Sequence, residues 1–353
     1  MKKLLSPIAI VLSLLLAVPA AGAPSDLPEQ HPYYDEINYL MEKGILTGYS
    51  DGTVRPDTKV TRAEVALMIG RLKEFDGTKR TTGFRDVPAE HFASGYIVDV
   101  VKAGYISGYP DGTYRPGEPI NRRETAITID RVFDLNFIFH FEYRDVPDGV
   151  YYYDAVHRLA AASISIGYPD NTFRPELEVS RGEFSAMLAR ALEPKFKNDA
   201  AIEHSYQRDK TKTYTYRQED GRIAVDRFVL VPPIDGKEDE FIWETRIGEE
   251  VYSELEYENY ESFAIGYPYS EYGVQLVYPI QVGKEFVYGY ALEPIIYTIT
   301  GVNKTVETEY KTFTNAVEVT THEGGKYYMV EGFAVVKWIK GDGTIYTELL
   351  DVK

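Results

Sequence analysis

Gly108-Tyr109-Pro110-Asp111-Gly112-Thr113-Tyr114-Arg115-Pro116 is followed, after four residues, by Asn121-Arg122-Arg123-Glu124. The same arrangement occurs twice more. An upstream copy reads Gly48-Tyr49-Ser50-Asp51-Gly52-Thr53-Val54-Arg55-Pro56 with Thr61-Arg62-Ala63-Glu64, and a downstream copy reads Gly167-Tyr168-Pro169-Asp170-Asn171-Thr172-Phe173-Arg174-Pro175 with Ser180-Arg181-Gly182-Glu183. The leading glycines are 60 and 59 residues apart. A fixed period of this length marks a repeat architecture, in which units too small to bury their own apolar faces share one core.

Working outward from the middle copy, Phe84-Arg85-Asp86-Val87-Pro88 opens the unit. Ile97, Val100 and Val101 then recur at helical spacing, and Gly104 is placed to stop that helix in a left-handed position. Pro110 and Gly112 make the next stretch a turn. Arg115 precedes a proline and is expected to be extended. A second helix starts at Asn121, an N-cap with Glu124 at N3; Thr61 with Glu64 and Ser180 with Glu183 are capping boxes. The buried face of this helix is Ala126, Ile129 and Val132. Its counterparts are Val65, Met68, Ile69 and Leu72, and Phe184, Met187, Leu188 and Leu192. The third copy has Ser163 where the others have Gly44 and Gly104, so its first helix has the weakest stop signal. Asn171 replaces a turn glycine and tolerates positive φ.

The F-x-D-V opening, the G-Y-x-D-G-T-F-R-P loop and the T-R-A-E helix start resemble the surface-layer homology domain, present as a triplet over residues 24–194. That resemblance implies a pseudo-threefold helical bundle with grooves between units. It also implies non-covalent attachment to secondary cell-wall polysaccharide, often carrying pyruvyl ketals, at the surface of a thick-walled, Gram-positive-type bacterium.

Arg62, Arg122 and Arg181 each stand at N1 of a second helix. A cation there opposes the helix dipole by about 0.3–1 kcal/mol when exposed. Three occurrences suggest an anion that offsets the cost, held by free backbone N–H groups and a guanidinium that grips a carboxylate. The competing reading pairs each arginine with a carboxylate such as Asp86 or Asp145. The expected ligand-binding set is Arg62, Arg122 and Arg181 with the caps Thr61, Asn121 and Ser180. Tyr49, Tyr109 and Tyr168 join it, open to two readings: sugar platforms or core. Asp51, Asp111 and Asp170 read as turn formers, since the loop lacks the calcium-binding spacing. No catalytic residue, metal or cofactor is implied.

Composition sets outer bounds. The net charge of −17 excludes nucleic acid and anionic membrane as bulk electrostatic partners. Residues 1–23 read as a signal peptide: Lys2 and Lys3, an apolar run from Ile8 to Val18, and Ala21-Gly22-Ala23. There is no cysteine, so no disulfide supports the exported chain. Repeats are expected at 24–80, 81–140 and 141–194, with a linker at 195–201.

From 202 to 353 the period becomes two. Tyr214–Tyr216, Val251–Leu255, Ile295–Thr300 and Ala316–Thr320 read as strands. Glu323-Gly324-Gly325-Lys326 and Gly341-Asp342-Gly343-Thr344 read as hairpin turns. The expectation is a mostly antiparallel sheet of about eight to ten strands, and so an α+β multidomain chain. Tyr310–Val319 and Gly332–Lys337 are weakly similar to β domains that end exported proteins of spore-forming bacteria, a resemblance that names no activity. The domain has no G-x-S-x-G, H-E-x-x-H or P-loop. His204 and His322 read as surface residues, and Glu254, Glu256 and Glu258 as a solvated strand face. The tyrosines Tyr257, Tyr260, Tyr267, Tyr269, Tyr272 and Tyr278 suit either a binding face or ordinary strands. The leading expectation is a wall-anchored structural or binding protein. The alternative is a wall-anchored glycan hydrolase with catalysis in 202–353, which needs a concave pocket holding a carboxylate pair.

Overall fold

The computed structural model describes residues 24–232, 239–268, 272–288 and 295–353. The leader at 1–23, Tyr269 and the side chain of Tyr272 lie outside what it describes.

Each repeat contributes two helices: α1 (Tyr34–Glu42) and α2 (Arg62–Leu72), α3 (Ser94–Lys102) and α4 (Arg122–Phe133), α5 (Tyr153–Ala161) and α6 (Arg181–Leu192). Thr61, Asn121 and Ser180 all form complete capping boxes with the glutamate at N3. The first helices all end on a left-handed residue. Ser163 takes φ 53° where Gly44 and Gly104 take 71° and 80°, so α5 matches its counterparts. Asn171 keeps the turn at φ 57°.

One local expectation is overturned. Arg115 is left-handed rather than extended, at φ 58°, as are Arg55 at 53° and Arg174 at 58°. The carboxylate of Asp86 accepts the N–H groups of both Tyr114 and Arg115, at 2.8 and 2.7 Å, and Asp26 and Asp145 do the same in their loops. Two charge-assisted hydrogen bonds outweigh the roughly 1–2 kcal/mol cost of that conformation.

The repeats close on one another. α2 packs on α3, α4 on α5, and α6 returns to α1. At the axis, Val60 N–H donates to Val179, Ile120 to Val60, and Val179 to Ile120, at 3.0 to 3.1 Å. All three side chains are fully buried. Of the apolar faces read from the sequence, Val65, Met68, Ile69, Val132, Phe184 and Leu188 are buried in this core with Leu72 and Leu192 at its edge, while Ala126, Ile129 and Met187 are buried in the adjoining cluster that faces the sheet.

The stretch after Leu192 is short but not a free spacer. Pro194–Lys197 forms a one-turn helix, α7, and Asn198–Ala200 a single 3₁₀ turn, with Phe196 and Lys197 buried.

Twelve strands follow among the described residues: β1 (Thr213–Gln218), β2 (Ile223–Val231), β3 (Glu240–Ile247), β4 (Glu250–Glu258), β5 (Ser262–Gly266), β6 (Tyr272–Val277), β7 (Glu285–Tyr288), β8 (Ile295–Glu307), β9 (Thr312–Thr321), β10 (Lys326–Val330), β11 (Ala334–Ile339) and β12 (Ile345–Val352). The sheet order is β6-β5-β4-β3-β2-β1-β12-β11-β10-β9-β8-β7, with every pairing antiparallel. Two six-strand meanders are thus joined through β1 and β12. The sheet curls until its ends meet, and Phe263 and Leu276 share a buried cluster with Phe286 and Tyr297. The result is a nearly closed barrel.

The sheet is docked on the third repeat. Leu255, Tyr257, Ala264 and Ile242 belong to the same buried cluster as Phe137, Phe139, Phe141, Val156 and Leu159. Phe139 stacks on Tyr257 with ring centroids 4.3 Å apart, and Asn136 N–H donates to Glu240 at 2.7 Å.

Candidate functional sites at the repeat junctions and in the sheet

Arg62, Arg122 and Arg181 are 3%, 5% and 5% exposed, and each reaches into the next repeat. Arg62 donates from Nε to the Tyr114 carbonyl at 2.9 Å and from Nη2 to the Ser107 carbonyl at 2.7 Å. Arg122 donates to the Phe173 carbonyl at 2.8 Å and to Ser165 Oγ at 3.0 Å. Arg181 closes the circle on the Val54 and Thr47 carbonyls, at 2.9 and 3.2 Å, and on Glu64 at 3.1 Å.

This geometry replaces the helix-terminus anion site expected from sequence. The N1 and N2 N–H groups are not free. Those of Arg62 and Ala63 donate to Glu118 and Pro116, those of Arg122 and Arg123 to Leu177 and Pro175, and those of Arg181 and Gly182 to Thr58 and Pro56. The N3 N–H is taken by the capping side chain of Thr61, Asn121 or Ser180. The dipole cost is offset within the protein by carbonyls and by the neighbouring N3 glutamates, Glu124 at 3.6 Å from Arg62 and Glu64 at 3.1 Å from Arg181. Asp86 and Asp145 are not the partners, since both are spent on loop N–H groups.

The tyrosines join these arginines to a second set. The Arg62 guanidinium lies 4.9 Å from the Tyr109 ring, Arg122 4.9 Å from Tyr168, and Arg181 4.9 Å from Tyr49. The same rings carry Arg115 at 3.8 Å, Arg174 at 3.8 Å and Arg55 at 3.9 Å. Each tyrosine ring is therefore shared by two guanidiniums. Tyr49 also donates to Glu64, and Tyr109 to Glu124 at 3.4 Å. Burial, with the Glu64 hydrogen bond, pushes the Tyr49 hydroxyl up to about 12.

Arg55, Arg115 and Arg174 differ from the N1 set in exposure. Their side chains are 45%, 38% and 46% exposed, so each places a guanidinium at the lip of a junction. They stand in the quoted loop at a constant position, which was the signal available for them. Asp51, Asp111 and Asp170 each accept from the Thr two residues on and face the lip arginine, as turn formers do. At the junction of the second and third repeats, Tyr33, Arg122, Ser165, Tyr168, Glu183 and Arg190 line a cavity of about 230 Å³, to which the sheet domain adds Tyr260.

The sheet holds a second cluster. Glu254, Glu256 and Glu258 share one face of β4, as the alternation implies, but that face is turned inward, with Glu254 half-buried at a cavity. Glu256 and Glu258 are 5% and 2% exposed. Arg208, itself buried, donates to Asp226, to Glu254 at 2.5 Å and to Glu256 at 2.5 Å. Glu258 accepts from Ser205, from Tyr206 N–H at 2.9 Å and from Tyr278 at 2.5 Å. Among the described residues, no group of three or more His, Cys, Asp or Glu is placed to hold a metal ion. His204 and His322 are exposed.

Burial pushes the Glu254 carboxyl up to about 7, with Asp226 and Glu256 adding to the rise and Arg208 opposing it. The folded chain thus holds a proton there that the unfolded chain has released. Stability from this group is complete below its unfolded value of about 4.3 and is lost as pH rises through about 7. Glu254→Gln is expected to flatten this part of the profile. Urea unfolding between pH 5 and pH 7.5 should show the parent losing on the order of 1–3 kcal/mol more than the variant. Parallel profiles would contradict the assignment.

Residues 25–66, 83–126 and 142–185 match the S-layer homology domain. The chain is 29% identical over 170 residues to cell surface glycoprotein 1 of Acetivibrio thermocellus, covering 43% of this chain and 7% of that protein. It is 34% identical over 147 residues to the cellulosome-anchoring protein of the same organism, covering 36% and 32%. It is 28% identical over 188 residues to an S-layer protein of Bacillus thuringiensis subsp. finitimus, covering 52% and 23%. The chain therefore spans less than a third of the length of each of these relatives.

Proposed function

We propose that this chain, which carries three S-layer homology repeats, is held by them to a secondary cell-wall polysaccharide bearing pyruvyl ketals. The β domain is thereby presented at the cell surface. The cell-wall association agrees with relatives named as anchoring and S-layer proteins. No helix among the described residues is long and apolar enough to cross a membrane.

The observation that carries the reading is the guanidinium pair on one tyrosine, built three times. In a chain of net charge −17, an anionic sugar has to be gripped by local cations. Arg55, Arg115 and Arg174 offer the exposed charge. Arg62, Arg122 and Arg181 form the floor, and Thr61, Asn121 and Ser180 fix the helix starts that position them. Tyr49, Tyr109 and Tyr168 hold both guanidiniums in place and contribute their edges. A pyruvyl carboxylate suits bidentate contact with such a group. Weak grooves acting together give firm retention through effective concentration.

The lip arginines make the reading testable without unfolding the bundle, because exposed ion pairs contribute little to stability. The triple variant Arg55→Ala, Arg115→Ala, Arg174→Ala is expected to lose at least tenfold in affinity for purified walls in co-sedimentation. Its urea midpoint should stay close to that of the parent. Parental affinity in a folded triple variant would remove these residues from the site.

The hydrolase alternative asked for a concave pocket with a carboxylate pair. Asp226 and Glu254 do line a cavity in the sheet, but both are bound to the one guanidinium of Arg208. Both carboxylates are thus committed to a cation, whereas paired-carboxylate hydrolysis needs one as a proton donor and the other as a free nucleophile or base. We therefore do not assign Asp226 and Glu254 as a hydrolytic pair.

A further inference from the structure

We propose that the concave cavity of the β domain binds a small organic ammonium ion, with Asp226 as its counter-charge and an aromatic wall around its body. Glu254 joins Asp226 in that role once its proton is released. The cavity measures about 580 Å³, within the range of small-molecule sites.

The floor carries unbalanced charge. Asp226, Glu254, Glu256 and Glu258 lie around two buried cations, Arg208 and Lys210. Arg208 is spent on three of the carboxylates, and Lys210 Nζ donates to Gln207 at 2.9 Å. Asp226 is 6% exposed, and its Oδ1 is buried without a hydrogen-bond partner. Glu254 keeps 23% of its side-chain surface open. Both line the cavity, so its floor offers acceptors and, among the described residues, no uncommitted cation. At the mouth, Glu219 is paired with Lys340, and Arg222 is held by Asp220 and Glu250, so the rim's cations are committed to carboxylates.

The walls narrow the ligand class. Tyr216, Tyr252, Trp338 and Tyr346 line the cavity, and Tyr252 and Tyr346 are exposed at its mouth. Aromatic faces beside carboxylates favour a cation with an apolar or ring body. An anion would meet the excess carboxylates, and a neutral ligand without a donor would leave Asp226 Oδ1 unpaired. The two remaining carboxylates are committed, Glu256 to Arg208 and Glu258 to Ser205, Tyr206 and Tyr278, and among the described residues the floor has no metal-type ligand set.

The test uses the full chain and three probes of one shape: benzylamine, benzyl alcohol and benzoate. Trp243 and Trp338 are its only two tryptophans. Trp338 lines the cavity and Trp243 lies 4.1 Å from the Arg208 guanidinium, so tryptophan fluorescence or the indole N–H resonances report binding. Benzylamine is expected to shift the Trp338 signal saturably and to bind at least tenfold more tightly than benzyl alcohol, with benzoate silent. Glu254→Gln should weaken benzylamine at least tenfold, and the rim variants Tyr252→Ala and Tyr346→Ala severalfold. The rim variants keep the test decisive if Glu254→Gln fails to fold. Equal affinity for amine and alcohol, unchanged benzylamine affinity in the variants, or no response at millimolar benzylamine would overturn the proposal. Release of reducing sugar from wall glycan, abolished by Glu254→Gln, would overturn it in favour of hydrolysis.

Discussion

Arg208→Met is expected to cost the β domain about 3–5 kcal/mol, because removing one partner leaves buried charges uncompensated. The guanidinium is buried and holds Asp226, Glu254 and Glu256 at once. Methionine fills similar volume but donates nothing. A cost of this size is a large fraction of the 5–15 kcal/mol that holds an ordinary domain together. Urea unfolding followed by tryptophan emission is a direct check, since Trp243 sits against this guanidinium. The loss should be smaller at low pH, where the carboxylates take up protons. It should also be partly recovered by adding Asp226→Asn, Glu254→Gln and Glu256→Gln. A loss below about 1 kcal/mol would mean that water or backbone compensates the carboxylates, against the burial described.

Arg181→Ala is expected to open the ring of repeats. The Arg181 side chain is one of the links by which the third repeat holds the first, through the Val54 and Thr47 carbonyls and Glu64. Hydrogen bonds from a charged group are worth about 1.5–3 kcal/mol each, and the acceptors left behind are partly buried. The expected cost is about 3–5 kcal/mol in helical unfolding followed by circular dichroism. Arg181→Lys should recover only part of it, because an ammonium cannot reach several acceptors in the planar fork of a guanidinium. Wall binding will fall in Arg181→Ala whether or not the residue touches glycan, which is why the exposed arginines are the better probe of binding.

What the sequence made legible was local. The capping boxes at Thr61, Asn121 and Ser180, the left-handed stops, and the hairpins at Gly324 and Gly343 depend on residues within a few positions of each other. The period of about 60 residues then gave three units, and their closure follows from apolar faces that no unit covers alone. The carbonyls that receive Arg62, Arg122 and Arg181 lie 45 to 134 residues away, and no spacing rule points to a carbonyl. The left-handed Arg55, Arg115 and Arg174 depend on aspartates 29 residues upstream. Alternation placed Glu254, Glu256 and Glu258 on one face but could not say which face was inside. Arg208, some 46 to 48 residues away from Glu254 and Glu256, decided that. The alternating Leu135, Phe137, Phe139 and Phe141 that dock the sheet were the unused signal, an apolar period of two within a helical region.

Binding of the full chain to purified cell walls, before and after mild acid removes pyruvyl ketals, bears most directly on the anchoring role. Retention that falls at least tenfold on depyruvylation, and falls as far on intact walls in the triple variant Arg55→Ala, Arg115→Ala, Arg174→Ala, is the expected result. Equal retention on treated and untreated walls, with the triple variant folded and binding as the parent does, would contradict it.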